Sequence, residues 1–456
     1  MSLKEVIDKI KEFFTKGHER SLKAKRNIIL SFILRGVSVV VSFVMVPITL
    51  HYLNRTKYGI WLTLSSIISW FYILDIGLGS GLRNKFAEAL AKGDKGLAKT
   101  YVSTTYAMLG IIIVIFYTLF LAINPYINWI KILNTTADLS LELNQLILIV
   151  VTLFSMQFIL KLIGTILMAD QNTALNDLLG VVSSVSSLLV IYILSKTTNG
   201  SLLYLGTAFV LLPVIVYLVM SSLLYKGKYK EFRPSIKYID FKHGKDLSSL
   251  GVKFFIIQIS GIMIYSMSNI IITQILGPAE VVPYNISYKY FNTAIMFFII
   301  IMTPFWSGFT DAYSKEDFEW IKNTMRKLNY ISVGFMVIIF LMIIFANIIF
   351  KLWIGNLVKI PFLLTLFMGM YVMVLSWGTP FVFFINGVGK IKLQLYTSLI
   401  AGVINIPLAI YFVKYIKLGA MGVIISILVL NIIAAIIYPI QYKKIINKKA
   451  QGIWNE

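Results

Sequence analysis

The chain has 456 residues, 58% of them hydrophobic and 14% charged, with a mean hydropathy of +0.81. About twenty apolar residues span a bilayer as a helix, and only helices or closed barrels satisfy their backbone there; alternating barrel patterning is absent, so a soluble globular protein and a β-barrel are both excluded. The net charge of +22 would point to nucleic acid on a soluble chain, but here the cations flank apolar runs, and the absence of cysteine excludes disulfides, thiol catalysis and cysteine–metal sites.

The first 26 residues are too long and too charged before the apolar run to be a cleavable signal peptide. Val6, Ile7, Ile10, Phe13 and Phe14 share a helical face opposite Lys4, Lys11 and Glu12. That pattern predicts a short helix lying on the inner leaflet, with a disordered tail as the alternative. About 12 spans follow. The first six are predicted at 27–50, 58–81, 100–123, 143–169, 175–195 and 202–225, and the rest at 248–276, 283–310, 328–350, 360–385, 391–413 and 418–441. With the N-terminus inside, inner segments hold 29 of the 42 Lys and Arg, outer loops 8 and spans 5. This bias sets orientation and predicts that both termini face the cytoplasm, with basic loops beside anionic headgroups.

Ser31, Arg35, Ser38 and Ser42 of the first span are spaced four, three and four, so they share one helical face. The second span ends in Asp75-Ile76-Gly77-Leu78-Gly79-Ser80-Gly81-Leu82-Arg83-Asn84. Ionisable groups at membrane depth are costly and mark sites or pathways. Asp75 is read as a partner or gate for Arg35, and Arg83 with Asn84 as a contact at the cytoplasmic mouth. Gly77 and Gly81, four apart, permit close helix approach. The glycines lack the strand–turn–helix context of a phosphate loop.

Lys161 lies in the fourth span, Lys253 near the inner end of the seventh and Lys289 in the outer half of the eighth. Lys161 and Lys253 can also be read as snorkelling to the interface. A central charge costs about 2.5–3.5 kcal/mol on an insertion scale, so several intramembrane cations imply a hydrated, positively walled cavity that draws in an anion. Arg suits bidentate phosphate contacts, and Lys acts as a point charge. Carboxylates in the spans are scarcer: Asp75, with Asp170 and Asp311 near inner ends.

The seventh span is polar, with Gln258, Ser260, Tyr265, Ser266, Ser268, Asn269, Thr273 and Gln274. These side chains either glue helices together or line a sugar path. Trp61, Trp70, Tyr288, Trp306 and Trp377 are candidates for sugar stacking or for the interface belt. Pro47, Pro213, Pro304, Pro380 and Pro407 lie in or near spans as possible hinges. His18, His51 and His243 all fall in predicted surface segments, which argues against a His metal site.

The basic connection 226–247 divides the chain into a bundle at 27–225 and a bundle at 248–441, with a cytoplasmic tail at 442–456. Three short matches cross that divide: Lys92-Gly93-Asp94 with Lys315-Glu316-Asp317, Leu188 to Tyr192 with Pro407 to Tyr411, and Leu205-Gly206 with Met421-Gly422. Their offsets lie between 216 and 223. The expected fold is therefore an all-α polytopic membrane protein of about 12 transmembrane helices, in two six-helix bundles related by a parallel pseudo-twofold repeat. No Walker A pattern occurs, so no ATPase module is built in.

Arg35-Gly36, Pro47, Leu53, Tyr58-Gly59-Ile60-Trp61, the Asp75–Asn84 segment and Lys92-Gly93-Asp94 together resemble the bacterial Wzx-type polysaccharide flippases. These belong to the multidrug/oligosaccharidyl-lipid/polysaccharide exporter superfamily, abbreviated MOP. Leu276-Gly277 followed by Tyr284 to Lys289 adds to the resemblance, which covers nearly the whole chain but is most specific in residues 27–100. It implies a transporter in the bacterial cytoplasmic membrane. This would move undecaprenyl-pyrophosphate-linked oligosaccharide from inner to outer leaflet by alternating access, for O-antigen, capsule or exopolysaccharide. It also implies a cationic lumen for the pyrophosphate, matching Arg35, Lys161, Lys253 and Lys289, and coupling to H+ or Na+, for which Asp75 and Asp311 are the candidates. Membrane lipids, polysaccharide polymerase and chain-length machinery are the further partners; no cofactor, metal or nucleic acid is expected. The alternatives are an exporter of the same superfamily for a drug or another lipid-linked precursor, and a membrane polysaccharide polymerase. A cationic-drug exporter would show more acidic than basic lumen residues, and a polymerase a large outer loop.

Overall fold

A computed structural model describes residues 19–75, 77–244, 264 and 266–456, with the side chains of 19–28, 73 and 307 outside that description. The predicted N-terminal interfacial helix, Lys253, Gln258, Ser260, Tyr265 and the first part of the seventh span lie outside the described residues. Among the described residues the chain is helical and has no strands. The long helices are α1 (Glu19–Ser69), α2 (Leu78–Ala91), α3 (Lys95–Ile123), α4 (Ser140–Leu160), α5 (Leu162–Ala169), α6 (Thr173–Thr197) and α7 (Leu202–Lys226). Then come α8 (Ser266–Leu276), α9 (Val281–Ser314), α10 (Phe318–Ile354), α11 (Phe362–Val388), α12 (Lys392–Ile410) and α13 (Met421–Ile446).

Ten stretches among the described residues are long and apolar enough to cross a membrane. The expected count is about 12, and the difference has two sources. The first two predicted spans run on as α1, and the seventh is described only as the short α8. Within α1 the chain turns sharply at Asn54, whose φ of 69° and ψ of 171° are not helical. The Asn54 side chain then accepts a hydrogen bond from the Lys57 amide at 3.0 Å. That is an N-cap, so α1 is two spans joined at a capped corner.

The second span breaks again near Asp75. A 3-10 turn (Trp70–Asp75) leads to Gly77 in the left-handed region, φ 77°, from which α2 starts. Asp75 Oδ1 accepts from the Gly79 amide at 2.9 Å. A carboxylate there satisfies an orphan donor and meets the positive end of the helix. A Cβ on Gly79 would stand 3.1 Å from that same oxygen. The glycine–aspartate pattern thus builds a cap and turn, where close helix packing at Gly77 was expected.

The internal repeat has a structural counterpart. Asp94 caps α3 by accepting from the Leu97 amide at 2.8 Å, and Asp317 caps α10 by accepting from the Trp320 amide at 3.0 Å. The residue before each cap has positive φ, Gly93 at 74° and Glu316 at 56°. Leu205-Gly206 and Met421-Gly422 both fall in the first turns of α7 and α13. On α2, hydrogen bonds from Lys92 and Lys85 hold the exposed Glu88 carboxyl below its usual value.

The described residues divide into two compact units. Unit 1 lies within Met1–Tyr52, Tyr72–Ile127 and Ser140–Phe254, and unit 2 within Leu53–Phe71, Asn128–Leu139 and Phe255–Glu456. Unit 1 is centred on side chains such as Leu82, Phe86, Ile163 and Leu205, and unit 2 on Phe291, Phe298, Tyr371 and Phe384, all almost fully buried. Both leave apolar side chains such as Val114, Leu223, Phe340 and Ile400 more than half exposed, as suits a bilayer rather than water. Two segments that the sequence assigns to the first bundle, Leu53–Phe71 and Asn128–Leu139, pack with unit 2.

The reason is a polar seam along α8. Thr63 and Thr273 hydroxyls meet at 2.6 Å, Ser69 and Ser266 at 2.7 Å, and Asn269 donates to Ser66 at 2.7 Å. Gln274 donates to the Lys131 carbonyl at 2.8 Å, and Arg55 pairs with Glu280 at 2.6 Å. Ser266, Asn269, Thr273 and Gln274 are therefore bonded to neighbouring segments as helix glue, while Ser268 bonds the Ile264 carbonyl of its own helix.

Candidate functional site

Arg35 and Lys161, set apart in the sequence by 126 positions, line one cavity in unit 1. Its volume is about 410 Å³, and Ser38, Asn176, Asp177 and Tyr217 complete its polar wall. Arg35 arrives from α1, on the face that carries Ser31 and Ser38. Ser31 reaches Thr173 at the start of α6, so that face turns towards α6 as its serine spacing implies. Lys161 stands at the joint between α4 and α5, where its amide still bonds the Gln157 carbonyl at 2.9 Å. Its Nζ lies 3.4 Å from the Tyr72 hydroxyl and 5.2 Å above that ring, and Tyr72 is braced edge-on by Phe154.

Asp177 enters the cavity from the first turns of α6. Its Oδ2 is 3.5 Å from Arg35 Nε, an ion-pair distance too long for a good hydrogen bond. The Arg35 side chain is 51% exposed and that of Asp177 17% exposed. This carboxylate oxygen has no hydrogen-bond partner. Arg35 thus meets Asp177 through one nitrogen, and a guanidinium has four further N–H donors. Two cations against one carboxylate leave the cavity one positive charge in excess. Gly164 matters to its shape: a Cβ there would stand 2.3 Å from Asn176 Oδ1, so only glycine lets α5 and α6 approach with Asn176 in place.

Arg35 therefore pairs with Asp177, whereas the sequence suggested Asp75. Asp75 is committed to capping α2 at the second span's own break and does not line the cavity. Arg83 and Asn84 are exposed on α2. Lys289 belongs to α9 of unit 2, half-buried. Asp311, near the end of α9, is exposed and pairs with Lys315 at 2.8 Å. Asp170, by contrast, gathers Lys228 at 2.5 Å and Tyr229 at 2.7 Å. Among the proposed sugar-stacking aromatics, Trp61 is buried and Trp306 and Trp377 pack against Phe383 and Phe381.

No family model matches the chain. A solved structure described as an inward-facing multidrug resistance MATE family transporter of the MOP superfamily superposes with a TM-score of 0.76, covering 92% of this chain and all of that one, at 16% identity. The chain has the fold of the MOP-superfamily transporters. An outward-facing structure of a MATE family transporter also matches, with a TM-score of 0.67 over 96% of this chain at 16% identity. Among curated proteins, a candidate O-antigen export protein of Yersinia pseudotuberculosis is 22% identical over 371 residues, covering 78% of this chain and 82% of its own length. A candidate O-antigen transporter of Salmonella typhi is 22% identical over 58% of this chain and 60% of its own length. The resemblance to Wzx-type flippases and the transporter class are borne out, and so is the all-α polytopic fold.

Asn176, Asp177 and Tyr217 of this cavity escaped the sequence reading. Asp177 sits two residues inside the predicted span 175–195, and a carboxylate just inside an apolar run was the available signal.

Proposed function

We propose that the chain moves an undecaprenyl-pyrophosphate-linked oligosaccharide from the inner to the outer leaflet of a bacterial cytoplasmic membrane, with both termini cytoplasmic. The observation that carries this is the convergence of Arg35 and Lys161 on one cavity with a single opposing carboxylate. A cation in excess of its carboxylates at membrane depth is costly unless water or an anion answers it. A pyrophosphate supplies the charge, the fork of Arg35 suits two of its oxygens, and Lys161 supplies a point charge. Asp177 holds Arg35 while the cavity is empty and gives it up to the stronger anion. Lys289 of unit 2 and Lys253, which lies outside the described residues, are proposed as further contacts for the anion, and Arg83 with Asn84 meets the substrate at the cytoplasmic mouth. Alternating access between the two halves then carries the saccharide across.

Deleting the gene from its bacterium tests the reading. A lipid-linked, pyrophosphate-bearing oligosaccharide is expected to accumulate on the inner leaflet while the corresponding surface polysaccharide disappears. Unchanged lipid-linked glycans together with a changed export of drugs would contradict it.

A further inference from the structure

Apart from the Arg35–Lys161 cavity, each unit carries a cationic hollow. In unit 1 a cavity of about 330 Å³ is bounded by Tyr106 of α3, by Ser221, Tyr225 and Lys226 of α7, and by Arg233 just beyond. In unit 2 a cavity of about 360 Å³ is bounded by Lys322, Arg326, Asn329 and Tyr330 of α10 and by Tyr442 of α13. The two hollows hold corresponding places in the internal repeat. Tyr106 and Asn329 are 223 positions apart, the same offset as the capping residues Asp94 and Asp317. Tyr225 and Tyr442 are 217 apart, one more than Gly206 and Gly422.

Some cations near the hollows are answered by carboxylates. Lys95 pairs with Glu231, Lys228 with Asp170 and Lys315 with Asp311. Lys226, Arg233, Lys322 and Arg326 are exposed and make no ion pair among the described residues. Each hollow also holds an unanswered polar atom. Ser221 is 7% exposed and its Oγ has no hydrogen-bond partner, and the buried Oδ1 of Asn329 has none either. An apolar strip leads away from each. On α7 it is Ile215, Leu218 and Leu223, and on α10 it is Val333, Val337 and Leu341, each between 44% and 59% exposed. Val333, Val337 and Leu341 are four apart and share one side of α10, as Ile215 and Leu218, three apart, do on α7.

We propose that the two hollows are headgroup sites for an anionic phospholipid, one in each unit, independent of what the transporter carries. Lys226 with Arg233, and Lys322 with Arg326, hold the phosphate. The Ser221 hydroxyl donates to a phosphate oxygen, Asn329 Oδ1 accepts from a headgroup hydroxyl, and the acyl chains lie along the apolar strips. A free phosphate would use the cations alone and gain nothing from the strips.

Native mass spectrometry of the purified full chain, released from detergent after incubation with phosphatidylglycerol or phosphatidylcholine, tests this. Two phosphatidylglycerols are expected to stay bound and no phosphatidylcholine. Lys226→Gln with Arg233→Gln removes one, Lys322→Gln with Arg326→Gln removes the other, and the four changes together remove both. Ser221→Ala weakens retention at its site about tenfold, the loss of one hydrogen bond to a charged group. Lys226→Arg with Arg233→Lys retains the lipid, which separates lost charge from lost folding. Equal retention of phosphatidylcholine, full retention by the glutamine variants, loss in the charge-conserving variant, or stripping of the lipid by millimolar inorganic phosphate would each overturn the proposal.

Discussion

Arg35→Ala is expected to abolish surface polysaccharide in the bacterium while the protein remains at its normal level in the membrane. A hydrogen bond to a charged group contributes about 1.5–3 kcal/mol, so removing the guanidinium weakens pyrophosphate binding at least tenfold for each bond lost. Arg35 is half exposed to its cavity and its neighbour Gly36 has open space around it, so truncation leaves the packing of α1 intact. Truncation also strands Asp177, whose Oδ2 has no hydrogen-bond partner. Arg35→Ala combined with Asp177→Asn removes that burden, and should be equally inactive if the missing function is anion binding. Arg35→Lys keeps the charge and loses the fork, so partial export is expected. Polysaccharide assayed by gel and protein by immunoblot decide the matter; normal polysaccharide in Arg35→Ala removes the cavity from the mechanism.

Gly59→Ala is expected to be the most destabilising single methyl in the first turns of the second span. The added Cβ would stand 1.8 Å from the Pro278 carbonyl oxygen and 2.5 Å from its carbon. Those are backbone atoms, which cannot rotate aside as a side chain would. Overpacking costs about 1–3 kcal/mol and occasionally more, and a backbone clash belongs at the upper end. The shift would also pull on the Thr63–Thr273 hydroxyl pair one turn away, at 2.6 Å. Gly36→Ala supplies the contrast, because nothing lies within 4 Å of its Cβ and alanine raises helix propensity by about 1 kcal/mol. Thermal unfolding in detergent should show Gly59→Ala melting well below the parent and Gly36→Ala at or above it. Equal melting of both variants would contradict the packing described for Pro278.

These two glycines show what a sequence can and cannot carry. Both belong to the series that resembles the flippases, yet one is sterically required and the other is not. Nothing local to either distinguishes them, since the clash comes from Pro278, 219 positions away. The helical class, the spans and the internal repeat were legible because bilayer thickness fixes span length and because caps such as Asp94 and Asp317 act through residues three positions on. The convergence of Arg35 and Lys161 was also legible, because intramembrane cations have few tolerable surroundings. The partner of Arg35 was not. Asp75 and Asp177 are both carboxylates in apolar runs, and the choice between them rests on the Gly77 turn that commits Asp75 to the Gly79 amide. Likewise the polar face of α8 was readable as polar, but its use as glue depended on serines and threonines of the second span meeting it in register.

The central claim is that the cations of the unit 1 cavity carry a pyrophosphate across the membrane. Purified protein in liposomes, loaded with a fluorescent saccharide on a polyprenyl pyrophosphate, tests it most directly through the rate at which the label crosses to a leaflet open to an impermeant quencher. Transport is expected with the parent chain, with loss in Arg35→Ala combined with Lys161→Ala and no transport of a neutral polyprenyl saccharide lacking the pyrophosphate. Unchanged transport by the double variant, or equal transport of the neutral lipid, would contradict the account.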